Sequence, residues 1–186
     1  MKNKIIDHSI TLFAKKGYYG TTLGDIANQV NLKKASLYHH FKSKDQIFTE
    51  SAHKCINYLH DFIVNNMRQN TYSNSALYQF LFKFIFDVDD RYIRMYVQLA
   101  FIPQQFSDEI YNKIKSIHKI IDEEIVKFYQ QNYYSIDFEE FHNMIMMFLE
   151  SWYLRCAFIE RFGDLEESKN KFKDEVYSII NQVINE

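Results

Sequence analysis

A chain of 186 residues is long enough for one domain, or for a small domain fused to a larger one. Four Gly and one Pro leave little punctuation for hairpin turns, and 47% hydrophobic residues make an ample core, so an all-helical fold is expected over a β-rich one. The net charge of −2 is uninformative alone, but residues 1–48 hold eight Lys and three Asp, a net +5, so the rest carries −7: a basic head on an acidic body, the balance of a head that meets phosphate.

The spacing predicts a first amphipathic helix over 3–16, with Ile5, Ile6, Ile10, Leu12, Phe13 and Ala14 inward and Gly17 as its stop. Thr22 is placed to cap a second, with Asp25 three residues on, and Leu23, Ile26, Ala27 and Val30 form one apolar face. Asn31 tolerates the left-handed conformation that a sharp turn needs. Leu32 packs inward just after it. A further short helix starts near Lys34, with Leu37 and Phe41 toward the core and Ala35, Ser36, Tyr38 and His39 outward. Two helices across so tight a turn make the helix-turn-helix plan, whose second helix enters the DNA major groove. Ser43–Gln46 reads as a capping box that opens a long helix to about Met67, with Ile47, Phe48, Ala52, Ile56, Leu59 and Ile63 inward.

Residues 68–75 form a polar loop. A strongly apolar, aromatic helix follows to about Asp87, then one over 91–102 ended by Pro103. The next starts at Ser107-Asp108-Glu109 and runs to about Gln131, with Ile110, Ile114, Ile117, Ile121, Ile125 and Phe128 on one face. A helix from Asp137 to Phe162 and another from Asp164 onward close the chain, about nine in all. Phe141, Ile145, Phe148, Trp152 and Ile159 in the first, and Leu165, Phe172, Val176, Ile179 and Val183 in the second, make a/d-type stripes. The 17 Phe and 14 Tyr read mostly as core filler.

Gly17, Thr21-Thr22, Asp25-Ile26-Ala27, Val30, Ser36-Leu37-Tyr38, His40-Phe41, Lys44-Asp45 and Ile47, in that order and spacing, resemble the N-terminal signature of TetR-family repressors. Asn31 stands where that family usually has glycine. The body segments FLFKFIFD, RYIRMYVQL, FLESWYL and FKDEVYS extend the resemblance, over most of the chain, to family members that repress a biofilm (intercellular adhesion) polysaccharide operon. The resemblance implies a helix-turn-helix domain over 1–48 and a helical dimerisation and ligand-binding domain over 49–186. It implies a homodimer joined through the last two helices, with Phe148, Trp152, Ile159, Phe172, Val176, Ile179 and Val183 as candidate interface residues. It also implies a small-molecule effector in the body, for which Met95, Tyr96, Phe101, Met147 and Trp152 are the candidate lining.

Expected at the double-stranded DNA operator are Lys33 and Lys34 on phosphate or guanine edges, Ala35 on a thymine methyl and Ser36 on a base edge or phosphate. Tyr38 and His39 would meet phosphate or base edges, and Thr22 and Lys44 phosphate at helix N-termini. A rival reading takes Glu50-x-x-His53 and Glu139-x-x-His142 as the paired ExxH motifs of a di-iron carboxylate bundle. Against it, residues 1–49 contain no Glu to supply a further ligand. A third reading is a helical interaction module without DNA binding. No hydrolase or nucleotide-binding motif occurs, so neither a cofactor nor enzymatic activity is expected. Cys55 and Cys156 lack metal spacing, no secretory signal is visible, and the apolar runs are too short to span a bilayer, so reduced thiols in a soluble cytoplasmic protein are expected.

Overall fold

The structure is a computed structural model that describes residues 1–66, 71–162 and 164–183, of which 158–162 by their backbone alone. The described residues are helical throughout, with no strand: α1 Lys2–Gly20, α2 Leu23–Gln29, α3 Lys34–Leu37, α4 Lys44–Asn66, α5 Asn74–Phe86, α6 Asp90–Gln98, a 3₁₀ turn Leu99–Phe101, α7 Gln104–Gln130, α8 Phe138–Phe162 and α9 Leu165–Val183. None of these helices is long and apolar enough to cross a membrane. The chain forms two compact units, Met1–His60 with Arg91–Ser116, and Asp61–Asp90 with Ile117–Glu186. The first contains all of the expected head, 1–48, and adds α6 and the start of α7 to it. The expected polar loop over 68–75 lies partly outside the described residues.

In the first unit, Ile5, Ile6, Ile10 and Phe13 of α1 are buried. Gly17 interrupts the helix at φ 67°, as expected of a stop, but the chain resumes for one more turn to Gly20. Thr22 then caps α2: its hydroxyl accepts the Asp25 amide, and the Asp25 carboxylate accepts the Thr22 amide. The Thr22 bonds, followed by the Lys16 ammonium, hold the Asp25 carboxyl down at about 2. Asn31 takes the left-handed conformation at φ 56°, and the Leu32 amide reaches back to the Ala27 carbonyl at 2.9 Å. That turn sets α3 across α2. Leu37 and Phe41 are buried beneath α3. Ser43 caps α4 through the Gln46 amide, while Gln46 Oε1 accepts the amide of Lys42 rather than that of Ser43. Helix α7 starts at Gln104, three residues before the expected Ser107, because Pro103 ends one helix and its carbonyl opens the next by accepting the Phe106 amide at 3.0 Å.

In the second unit α5 buries Leu77, Phe80, Leu81, Phe84 and Ile85 and packs on both α8 and α9. Phe172 of α9 lies edge-on to Trp152 of α8 at 5.0 Å and to Phe86 of α5 at 5.2 Å. The same packing takes in most of the expected dimer residues. Phe148, Trp152, Phe172, Val176 and Val183 are buried within the chain's own core and Ile179 is half-buried, because α5, apolar over most of its surface, covers the stripe from inside. The Ile159 side chain lies outside the described residues. Burial also holds one carboxylate, Glu124, made tolerable by the Tyr72 hydroxyl at 3.0 Å and the Lys127 ammonium.

Two outcomes follow from the corner between α1 and α2. Gly17→Ala forces an alanine to φ 67° and sets a methyl 2.9 Å from Gln98 Oε1, so it lowers stability by about 1 kcal/mol, read as a drop of a few degrees in the calorimetric midpoint. Because the Asp25 pKa is depressed on folding, its contribution is complete above the ordinary value of 3.8 and is lost as pH falls toward 2. Thr22→Val removes the first cause, the hydroxyl bond, but keeps the backbone amide bond and Lys16, so carboxyl NMR should find Asp25 titrating higher than in the parent yet still below 3.8, with that acid-linked loss diminished. A titration unmoved from about 2 in Thr22→Val would mean that the backbone amide and Lys16 together set it.

Candidate nucleic-acid interface

The outer face of α3 is the part of the head where side chains converge without internal partners. Lys33, at the N-cap of α3, and Lys34, Ala35, Tyr38 and His39 are exposed, Tyr38 by 55%, and Ser36 is half-buried. Among the described residues the side chains of Lys33, Lys34, Tyr38 and His39 make no hydrogen bond or ion pair. Buried Leu37 and Phe41 fix the helix from behind, so the outward set is held by the core. Lys42 just beyond is also exposed and its ammonium is unpaired among the described residues. It belongs with this group, and its signal in the sequence is its place among the lysines flanking α3.

Four other head residues have partners inside the head or beside it. Lys2 pairs with Glu50 at 2.7 Å and Lys16 with Asp25 at 3.0 Å. Lys44, expected at phosphate, turns back into the head. Its ammonium donates to the carbonyls of Tyr18 (2.9 Å) and Thr21 (3.1 Å) and lies 4.0 Å from the centre of the Tyr18 ring. The end of α1 leaves carbonyls without helical partners, and a nearby cation satisfies them. Thr22 is likewise committed: its hydroxyl donates to Asp25 Oδ2 at 2.7 Å while accepting the Asp25 amide at 3.1 Å. Lys44 and Thr22 thus shape the head through these bonds.

The ExxH residues go to separate partners. Glu50 pairs with Lys2, His53 Nε2 stands 2.8 Å from Glu109, and His142 Nε2 stands 2.8 Å from Asp122, while Glu139 is exposed. Burial holds the His53 imidazole below its ordinary pKa against the opposing pull of Glu109. Among the described residues no three His, Cys, Asp or Glu side chains are grouped to hold a metal, so the di-iron reading has no support. Cys55 is fully buried against the Tyr92 carbonyl, and burial pushes its thiol pKa well up, which makes it inert. Of the residues expected around a ligand, Phe101 and Met147 lie at the surface, each 70% exposed. Met95 and Trp152 are packed in the core, Trp152 with its indole N–H on Glu175 at 3.0 Å, and Tyr96 is half-buried.

Comparison with known proteins fits this head and body. Residues 5–50 match the family described as bacterial regulatory proteins, tetR family, and residues 68–182 match the tetracyclin repressor-like C-terminal domain. The chain is 54% identical over 181 residues, 97% of each chain, to the biofilm operon icaADBC HTH-type negative transcriptional regulator IcaR of Staphylococcus aureus strain Newman. Its fold is similar to that of the ketosteroid transcriptional regulator KstR2 of Mycobacterium tuberculosis, with a TM-score of 0.73 at 20% identity, covering 100% of this chain and 95% of that one. It is similar also to the transcriptional regulator FadR from Bacillus subtilis in complex with stearoyl-CoA, with a TM-score of 0.68 at 17% identity, covering 95% and 97%. These relatives are transcriptional regulators, not enzymes. With both halves matched and more than half of its residues shared with a regulator of nearly equal length, the chain belongs to the TetR family of helix-turn-helix transcriptional repressors.

Proposed function

We propose that this chain is a cytoplasmic homodimer that represses a biofilm polysaccharide operon by occupying a near-palindromic operator. The observation that carries it is the outward face of α3, where Lys33, Lys34, Tyr38 and His39 are held in place and left without partners among the described residues. In this reading Lys33 and Lys34 neutralise phosphate or bond guanine edges, with Lys42 beside them. Ala35 packs on a thymine methyl, Ser36 bonds a base edge or phosphate, and Tyr38 and His39 fix the register on the backbone. The target operon follows from what the 54% identical relative is named for.

Dimerisation, in this reading, uses the outer face of α8 and α9, where Met147, Leu154 (52% exposed) and Tyr177 present apolar surface. Two subunits then set their reading helices about one helical turn apart, ~34–36 Å. Residues 1–48 read DNA, and the remainder holds the dimer together and receives a small-molecule effector. The bound acyl-CoA of the Bacillus regulator supports an effector as a class. Such a ligand releases DNA only through unequal affinity for the bound and free conformations.

Titration of a labelled duplex from upstream of the chain's own gene, across a salt series, tests the DNA reading. Lys33→Ala should weaken binding and flatten the slope of log affinity against log salt by about 0.9 for each phosphate that is no longer neutralised. Tyr38→Phe should weaken it with the slope kept, since no charge is removed. Unchanged affinity and slope in Lys33→Ala would sink the assignment. For the dimer, Leu154→Glu should shift the mass in sedimentation equilibrium from two chains toward one, while retaining the helical circular dichroism of the parent. A variant that stays dimeric would place the interface elsewhere.

A further inference from the structure

The corner between α6 and α7 belongs to the same compact unit as the reading helices, although it lies some 60 residues along the chain from α4's first turn. Its attachment is specific. Gln105 Nε2 donates to Asp45 Oδ2 at 3.2 Å. The other carboxylate oxygen of Asp45 accepts the Tyr18 hydroxyl. Phe106 lies edge-on to the Tyr18 ring at 5.3 Å and tilted against Phe48 at 5.3 Å. Burial and the Asp45 bond push the Tyr18 hydroxyl pKa up to about 12, so it stays protonated and donates at any physiological pH. The ring of Tyr18 is in turn the seat of the Lys44 ammonium, which binds the carbonyls of Tyr18 and Thr21. Thr21 immediately precedes the residue that caps α2, and α2 packs on α3.

We propose that Gln105 and Phe106 are positioning residues for DNA reading: from α7 they fix Tyr18 and Asp45, and through these the placement of α2 and α3 on α4. The proposal rests on the DNA-binding reading above. Asp45 has only two oxygens, and one goes to each side of the junction, so it couples them. Gln105 is itself exposed and contributes nothing to the core, which separates its role from folding. A movement of the α6–α7 corner therefore acts on the reading helices directly, without passing along the length of α4.

The test is a charge placed against Asp45. Gln105→Glu sets two carboxylates face to face in place of an amide donor. Gln104→Glu, one residue away and also exposed, adds the same charge without facing Asp45 and is the control. Asp45→Asn combined with Gln105→Glu restores a donor–acceptor pair in the reverse sense, while the Asn carbonyl can still accept from Tyr18. Affinity for the duplex from upstream of the chain's own gene should fall about tenfold in Gln105→Glu, change less than about twofold in Gln104→Glu, and recover to within about threefold in the double variant, as for coupled neighbours. Amide exchange in the free protein gives a readout that needs no DNA: the segment 18–25 should exchange about tenfold faster in Gln105→Glu alone. Phe106→Leu, which keeps an apolar side chain but removes the ring edge, should move both readouts in the same direction. If Gln105→Glu matches Gln104→Glu in affinity and in exchange, or if Asp45→Asn fails to rescue it, the proposal is overturned. If the wild type binds this duplex no better than random DNA, the assigned target fails, and the exchange result decides the positioning role by itself.

Discussion

The head depends on where one ammonium goes. A helix that stops leaves carbonyl oxygens without partners, and α1 must stop abruptly so that α2 can leave at an angle. Lys44 resolves this from the start of α4, donating to the Tyr18 and Thr21 carbonyls while resting on the Tyr18 ring. One side chain thereby joins the end of α1, the entry to α2 and the first turn of α4. The left-handed residues on either side, Gly17 and Asn31, make the bends available, and the bonds to Lys44 select one setting of them. Presentation of α3 is thus a consequence of polar contacts at a corner as much as of the apolar residues beneath it.

The second unit is organised differently, by aromatic packing. Trp152, Phe148, Phe172, Phe86 and Tyr78 meet edge-on or tilted around α5, α8 and α9, and Glu175 bonds both the Trp152 indole and the Arg155 guanidinium, which lies 4.7 Å above that indole ring. Rings in such an array have little freedom to slide, because each edge is matched to a neighbouring face. The carboxylate of Glu175 adds a directional tie between α8 and α9, so that the outer surface those two helices present is rigid.

Much of the head is legible in the sequence because its signals are local. Thr22 with Asp25 and Asn31 at the turn behave as their chemistry requires, while Ser43 caps the Gln46 amide without the reciprocal bond and Gly17 bends the helix without ending it; all are signals within a few positions of one another. Two features turn on a partner distant in sequence. Lys44 reads as a free cation at a helix N-terminus until its carbonyl partners, 23 and 26 residues earlier, are known. The stripe through Phe148, Trp152, Phe172 and Val176 has the period of an interface seam, but a period states which face is apolar and not which neighbour covers it. Here α5 covers it. The earlier start of α7 has a local reason: Pro103 reads as a stop, whereas the same residue type also suits the opening of the next helix.

Helix α3 is only four residues long, with Leu37 and the following Phe41 as its anchors. Nothing so short is stable as a helix by its own propensity. Its geometry is imposed by the buried anchors together with the polar contacts of the corner, and the side chains of Lys33, Lys34, Tyr38 and His39 add no bond to it among the described residues. In the DNA-binding reading proposed above, substitutions at Lys34, Ala35 or His39 alter what is recognised while leaving the buried anchors of α3 in place. In that reading, the scarcity of internal partners on α3 among the described residues separates what the molecule recognises from what keeps it folded.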